Sequence, residues 1–178
     1  MRIDKKKFIR KLLSVLTIIV VSASLFLYSC KKHEVYPITP HIEFFKFTKI
    51  PTINNIDSKG ILNISFTDGD SDIGLKPEDT TGSFKVGSPY YYNFYIDYYE
   101  KQNDSFVKID LPLTNNSRIP YIEPDEAERG IKGNIEIELF INNILSKYDT
   151  IMFKAFIYDR ALHKSNVIET PEIVIKKK

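Results

Sequence analysis

Residues 61–67 read Ile-Leu-Asn-Ile-Ser-Phe-Thr and lead directly into residues 68–75, which read Asp-Gly-Asp-Ser-Asp-Ile-Gly-Leu. The first seven residues alternate apolar and polar side chains, which predicts a β-strand with Leu62, Ile64 and Phe66 facing a core. The next eight place three carboxylates at alternate positions beside two glycines, which predicts a loop. This stretch therefore indicates a half-buried strand that ends in an acidic loop.

Similar apolar–polar patterns recur through the rest of the chain. The predicted strands are residues 42–47, 61–67, 90–100, 105–109, 134–141, 150–160 and 166–175. Residues 150–160 are apolar on both faces, which predicts a central strand covered on both sides. Pro171 interrupts the last run, which predicts an edge strand or a switch between sheets. Seven or eight short strands without a long amphipathic helix predict an all-β fold, an immunoglobulin-like antiparallel sandwich of two sheets.

The composition bounds the class of protein. Hydrophobic residues make up 43% of the 178 residues, which excludes a disordered chain. The formal net charge is +2, but the first eleven residues hold six basic residues and one acidic residue, so the remainder has a net charge of −3. A mildly acidic domain lacks the basic surface that binds phosphates, and we therefore expect no nucleic-acid partner.

The N-terminal segment, residues 1–29, has the order of an export signal. Basic residues are followed by an uncharged run over residues 12–29 and then by Cys30. This order is typical of a secretory signal peptide. The run is long for such a peptide and short for a spanning helix, so an uncleaved membrane anchor is the alternative.

Residues 27–30, Leu-Tyr-Ser-Cys, resemble the lipobox of bacterial lipoproteins, which combines a leucine, a small residue and a cysteine. The resemblance implies that Cys30 becomes the lipidated N-terminus, with residues 30–40 as a short tether and residues 41–178 as the exported domain. It also implies attachment at the cell envelope, with the outer membrane as the default location. Cys30 is the chain's one cysteine, so a lipidated Cys30 leaves the domain without a disulfide.

The end of the domain carries a second resemblance. Residues 157–166 read Ile-Tyr-Asp-Arg-Ala-Leu-His-Lys-Ser-Asn, similar to the last turn of bacterial immunoglobulin-like and fibronectin-III-like domains. There the pattern is Asp-Arg-Ala-Gly-Asn-Lys-Ser, and here Leu162 and His163 replace Gly-Asn. Together with the acidic loop, this ending resembles a family of uncharacterised bacterial lipoproteins, which implies the fold but no known activity.

The acidic loop is the candidate metal site. Asp68, Asp70 and Asp72 match the first three ligands of an EF-hand loop, although Ile73 stands where that motif has glycine. In the sandwich, the loop after residues 150–160 lies at the same end, so Asp159 is expected to complete a Ca²⁺ site. Two alternatives remain open: Arg160 neutralises the carboxylates without a metal, or the loop is a solvated turn.

The tyrosines of the longest predicted strand are the candidate ligand surface. Tyr91, Tyr95 and Tyr99 share the face opposite the presumed core, where exposed rings can stack on sugars or anchor a protein. The alternatives are that a loop or neighbouring sheet covers them, or that they form cross-strand pairs that stabilise the sheet.

Catalytic motifs are scarce. No Gly-x-Ser-x-Gly, His-Glu-x-x-His or phosphate-binding loop occurs in the chain, and the acidic residues 123–128 are the single candidate for glycoside hydrolysis. We therefore expect a non-catalytic, monomeric binding or structural module at the cell envelope, stabilised by Ca²⁺, whose partner is an envelope protein or a glycan. The second hypothesis is an accessory carbohydrate-binding lipoprotein, and the third is an enzyme acting on glycosides.

Overall fold

The computed structural model describes residue 6 and residues 9–10, 13–17, 34–123 and 130–177. The chain forms two compact units, Met1–Glu34 and Val35–Lys178. In the first unit residues 13–17 are helical, and Cys30 lies outside the described residues. No helix among the described residues is both long enough and apolar enough to span a bilayer.

The second unit consists almost entirely of β-structure. Its strands are β1 (His41–Pro51), β2 (Asp57–Asp68), β3 (Phe94–Gln102), β4 (Ser105–Lys108), β5 (Ile131–Phe140), β6 (Thr150–Ile157), β7 (Ile168–Glu169) and β8 (Ile173–Val174). One 3₁₀ turn, Gly82–Phe84, lies in the long connection between β2 and β3.

The strands form two antiparallel sheets. One sheet has the order β1-β2-β5, and the other has the order β4-β3-β6-β7, with β8 also paired to β6. The predicted all-β sandwich of seven to eight strands is therefore confirmed. The first, second and fifth strands share one sheet and the third, sixth and seventh share the other, as in immunoglobulin-like sandwiches.

The core lies between the two sheets and follows the alternation of the sequence. On β2, Leu62, Ile64 and Phe66 are buried, while the intervening polar residues are half-exposed. On β6 the fully buried Phe153 faces them, and its ring stacks on Phe47 with the centroids 5.8 Å apart. Burial of large apolar side chains from both sheets is the main source of stability in such a domain.

Three local features differ from simple alternation. β1 has a register shift between Phe44 and Lys46, so the extra residue Phe45 is 66% exposed, which accounts for the imperfect pattern there. The third strand begins at Phe94 rather than at Tyr90, because the preceding backbone turns and bonds to the segment around Ser117. Pro171 divides the last strand into β7 and β8 at the edge of the sheet, as predicted.

Candidate metal centre

The acidic loop begins where β2 ends, at Asp68. Two apolar residues fix its path, since Ile73 and Leu75 are buried in the domain. Between them Gly74 has φ +95°, and a Cβ there would lie 2.2 Å from the carbonyl oxygen of Pro120. Because only glycine fits this backbone, the acidic loop can lie close to the segment around Pro120.

The second acidic element follows β6. Asp159 is fully buried, and its Oδ1 accepts a hydrogen bond of 2.7 Å from the backbone N–H of His163. The two loops are joined directly, because the N–H of Ala161 donates to Oδ2 of Asp72 at 2.9 Å and the N–H of Arg160 donates to its carbonyl oxygen at 3.2 Å. The loops therefore form one continuous surface at this end of the sandwich.

The four predicted ligands come together at this surface. Asp68, Asp70, Asp72 and Asp159 each offer one carboxylate oxygen, and these four oxygens lie within 4.8 Å of one another. Oxygens bound to a single Ca²⁺ at 2.3–2.6 Å lie at most about 5 Å apart, so the cluster matches the dimensions of such a site. The sequence prediction that places these aspartates near one another agrees with the structure.

The cluster leaves two buried oxygens without a donor. Asp68 is fully buried, and while its Oδ2 accepts a hydrogen bond of 3.0 Å from the N–H of Asp72, its Oδ1 has no hydrogen-bond partner. Oδ1 of Asp72 is likewise buried and unpartnered. A buried carboxylate oxygen without a donor is costly, which makes both atoms available for a cation.

The pKa values of these carboxyl groups reflect their burial and their closeness to one another. Burial, together with the charges of Asp70 and Asp72, raises the pKa of Asp68 to about 7. Burial and the charge of Asp159 also raise the pKa of Asp72, and burial raises the pKa of Asp159 although His163 opposes the rise. A bound divalent cation would favour the ionised carboxylates and oppose these shifts.

Arg160 does not serve the cluster in the way the alternative hypothesis requires. Its guanidinium forms a salt bridge of 2.5 Å with Asp79 and lies 5.3 Å from the ring centroid of Tyr121. This pair holds the loop after β6 to the connection that follows Leu75. The Arg160 guanidinium is thus paired with Asp79, while the charge of Asp72 also contributes to its raised pKa.

Two contributions to this centre were not predicted from the sequence. Nδ1 of His163 lies 2.8 Å from Oδ2 of Asp159, so this histidine orients the carboxylate, and the contact raises the pKa of His163. Asp79 forms a salt bridge with Arg160, the residue that follows Asp159. The four-residue spacing of Asp159 and His163 within one turn is the signal that sequence reasoning could have used.

The three predicted ligand-binding tyrosines are half-buried and occupy different surroundings. Tyr95 stacks on its cross-strand partner Phe156, with the centroids 5.1 Å apart. Tyr91 lies before β3 under the guanidinium of Arg118, and Tyr99 lies under the ammonium of Lys154. Each ring therefore has one face against a neighbouring side chain.

Tyr91 and Tyr95 are linked through ring contacts with Tyr92, whereas Tyr99 contacts the ammonium of Lys154, 5.3 Å from its ring centroid. The acidic segment considered for glycoside hydrolysis falls mostly in residues 124–129, which lie outside the described residues. Neither a protein-family model, nor a curated protein, nor a solved structure matches this chain.

Proposed function

We propose that the chain is an exported, lipid-anchored and non-catalytic β-sandwich module that binds Ca²⁺ through Asp68, Asp70, Asp72 and Asp159. The observation that carries the metal site is the unpartnered Oδ1 of Asp68, a buried oxygen within a cluster of four carboxylates. The export signal and the lipobox-like sequence at Cys30 support attachment to the outer membrane.

The donor set supports calcium in particular. All four side chains offer oxygen, which is the ligand that hard divalent cations prefer, and zinc would favour nitrogen or sulfur donors. Ca²⁺ accepts a cage of several protein carboxylates, whereas Mg²⁺ usually keeps most of its water. The tolerance of Ca²⁺ for irregular geometry also suits two loops from different strands.

The proposed role of the cation is to stabilise the module. The chain has one cysteine, which the proposal assigns to the lipid anchor, so no disulfide is left to fasten the loops. Four carboxylates in one cluster repel one another unless a cation or protons neutralise them. Calcium would convert this repulsion into a cross-link between the acidic loop and the loop after β6. The module itself would act as a monomer and present its surface to an envelope protein or glycan.

The direct test is thermal unfolding of the full chain in detergent, in EDTA and at increasing Ca²⁺. At a hundredfold excess over Kd the expected gain is about 2.7 kcal/mol, which raises Tm by roughly 5–10 °C for a domain of this size. Mg²⁺ at the same concentration serves as the control and should raise Tm much less. A Tm that stays constant up to millimolar Ca²⁺ would show that the cluster is not a calcium site.

A carbohydrate-binding module is the second candidate function. It is supported by the half-buried aromatic side chains around Tyr95, which lie on the outer face of the β3–β6 pair. Binding on a glycan array that disappears with Tyr95→Ala and persists with Tyr148→Ala would establish it. Absence of binding to any glycan by the wild-type protein would leave cross-strand pairing as the role of this ring.

A further inference from the structure

We infer that Ca²⁺ binding also locks residues 35–40, the packed tether, against the sandwich and so fixes the direction in which the chain leaves the module. The inference rests on the proposed calcium site. Although residues 30–40 were expected to form a tether, the compact unit begins at Val35, and Pro40 is buried. The C-terminal part of the tether is thus packed on the domain.

The packed tether meets the acidic loop at the residue between two of the ligands. A Cβ added to Gly69 would lie 2.3 Å from the carbonyl oxygen of Tyr36 and 2.6 Å from that of Pro37. Real Cβ atoms do not approach backbone so closely, so the glycine is what allows the tether to lie on this loop. Any displacement of Asp68 or Asp70 must also move the surface on which the tether rests.

A second glycine extends the same contact. Gly130 has φ +101°, and a Cβ there would lie 2.7 Å from the carbonyl oxygen of Asp68, 2.9 Å from Cδ2 of Tyr36 and 3.3 Å from Cα of Gly69. The start of β5, the end of β2 and the tether therefore meet at one point. Asp68 supplies both a backbone atom to this contact and a carboxylate to the metal cluster.

The strand that follows the packed tether, β1, is fastened close to the other loop of the centre. The backbone N–H and carbonyl oxygen of Ile42 bond to the side-chain amide of Asn166 at 2.9 and 2.8 Å. Asn166 closely follows the turn of Asp159 and His163. The tether thus rests on the acidic loop, and the strand that continues it is fastened just beyond the Asp159 turn, so a cation that joins the two loops also supports the surface under the tether.

The coupling must act in both directions. Repulsion among four ionised carboxylates favours separation of the loops, which would remove the support for the tether, and a cation reverses this tendency. By thermodynamic linkage, a change that frees the tether must weaken calcium binding by the same factor that calcium strengthens tether packing. A loss of affinity of about fivefold or more is the expected size for such a coupling.

The chain contains no tryptophan, so one introduced tryptophan reports on one site. Ile38→Trp places the reporter at a 57% exposed position of the packed tether, and Leu145→Trp places a control reporter at an 84% exposed position after β5, at the opposite end of the sandwich. Time-resolved fluorescence anisotropy of the full chain in detergent is recorded in EDTA and in Ca²⁺. Calcium should reduce the fast local motion at position 38 and leave that at position 145 unchanged.

Two further substitutions keep all four aspartates and disturb the tether contact. Tyr36→Ala removes the ring that meets Gly130, and Gly69→Ala places a Cβ against the tether backbone; each is combined with Ile38→Trp. We expect the calcium response at position 38 to disappear in both, and calorimetry to show calcium binding weakened about fivefold or more. Circular dichroism reports whether each variant is folded.

The outcomes separate the inference from the proposed function. If calorimetry shows calcium binding to the Ile38→Trp protein while its anisotropy is unchanged, the tether inference is wrong and the calcium site stands. If calorimetry shows no calcium binding, both are wrong. If Tyr36→Ala and Gly69→Ala are folded and bind calcium as tightly as the parent, the tether is independent of the cation and the inference is overturned.

Discussion

The carboxyl group of Asp68 is removed from water, yet a donor reaches only one of its oxygens. Burial of a charge is tolerated in proteins when the charge is paired or binds a metal, and otherwise the group takes up a proton. The raised pKa of Asp68, about 7, expresses the second possibility. At this residue a proton and the proposed calcium ion would therefore compete for the carboxylate.

Removal of one charge from the cluster should have opposite effects with and without calcium. We expect Asp70→Asn to leave stability in EDTA unchanged or to raise it by about 0.5–1 kcal/mol, because one repelling charge is gone. In saturating Ca²⁺ the same variant should lose most of the calcium-dependent gain of about 2.7 kcal/mol. Urea unfolding in both conditions measures the two differences.

The matched control is Glu78→Gln, which removes one exposed carboxylate from the same connection but lies outside the four-aspartate group. It should behave as the wild type in both conditions. Equal effects of Asp70→Asn and Glu78→Gln would mean that the cluster has no special affinity for the cation.

The dependence of stability on pH follows from the sign of the pKa shifts. Since the pKa of Asp68 rises from 3.8 to about 7 on folding, the folded state binds more protons than the unfolded state between these values. The stability that Asp68 contributes to the folded state is fully present below about pH 4 and is lost as the pH rises through about 7. The raised pKa of His163 acts in the same direction above its ordinary value of 6.5.

In EDTA we therefore expect Tm to decrease between pH 5 and pH 8. Calcium displaces these protons, so the increase in Tm on adding Ca²⁺ should be larger at pH 8 than at pH 5. Differential scanning calorimetry at both values, with and without the cation, measures the increment. An increment that is the same at both pH values would contradict a proton–calcium competition at Asp68.

At the scale of the elements, the loop after β6 is held by an ion pair as well as by the proposed metal. We expect Arg160→Ala to cost about 1–2 kcal/mol, because the partly buried pair with Asp79 is lost. Since neither member of that pair is one of the four proposed ligands, the calcium-dependent gain in Tm should remain. A double-mutant cycle with Asp79→Ala isolates the pair, and loss of the calcium response in Arg160→Ala would show that the arginine supports the metal site directly.

The strands that bury one face could be predicted, and the reason is physical. On β2 and β5 the polar residues face solvent and the apolar residues face the core. The sequence of these strands therefore alternates with a period of two residues, which identifies them as strands. At Tyr90–Asn93 the alternation of side chains continues although the backbone turns there. A tyrosine side chain can be half-buried in a turn as well as in a strand, so the pattern does not distinguish the two. Alternation alone could not show where that strand begins.

The sequence predicted the four aspartates of the candidate site but not all of the side chains around them. Asp159 could be placed beside the acidic loop because strands two and six of such a sandwich end on the same side. The contact of Asp79 with Arg160 depends on the paths of two loops, which no short-range pattern records, whereas the four-residue spacing of Asp159 and His163 is a local signal. Leu162 shows the same limit: the turns that this segment resembles have glycine there, yet the leucine adopts φ +70°, the left-handed conformation that glycine favours.

At the scale of the whole molecule, the lipid anchor can be tested independently of the metal. We expect labelled palmitate to be incorporated into the wild-type protein and not into Cys30→Ser, because the thiol is the proposed site of acylation. Glu78→Gln serves as a control, since it leaves residues 27–30 unchanged. Detection of label in Cys30→Ser would assign the acyl chains to another residue.

The edge strands of the two sheets matter for a module that is anchored in a membrane, as we propose for this one. Lipid anchors confine molecules to a plane, where neighbours collide repeatedly with similar orientations, and a straight unpaired strand would then recruit its copies into a growing sheet. Here β1 is bent by the extra residue Phe45, β4 has four residues, and Pro171 breaks the last strand into two short pieces. If the module is lipid-anchored as proposed, these interruptions would oppose edge-to-edge pairing at three of the sheet edges, while the fourth edge strand, β5, is continuous over ten residues and carries the exposed charges of Lys132, Glu136 and Glu138.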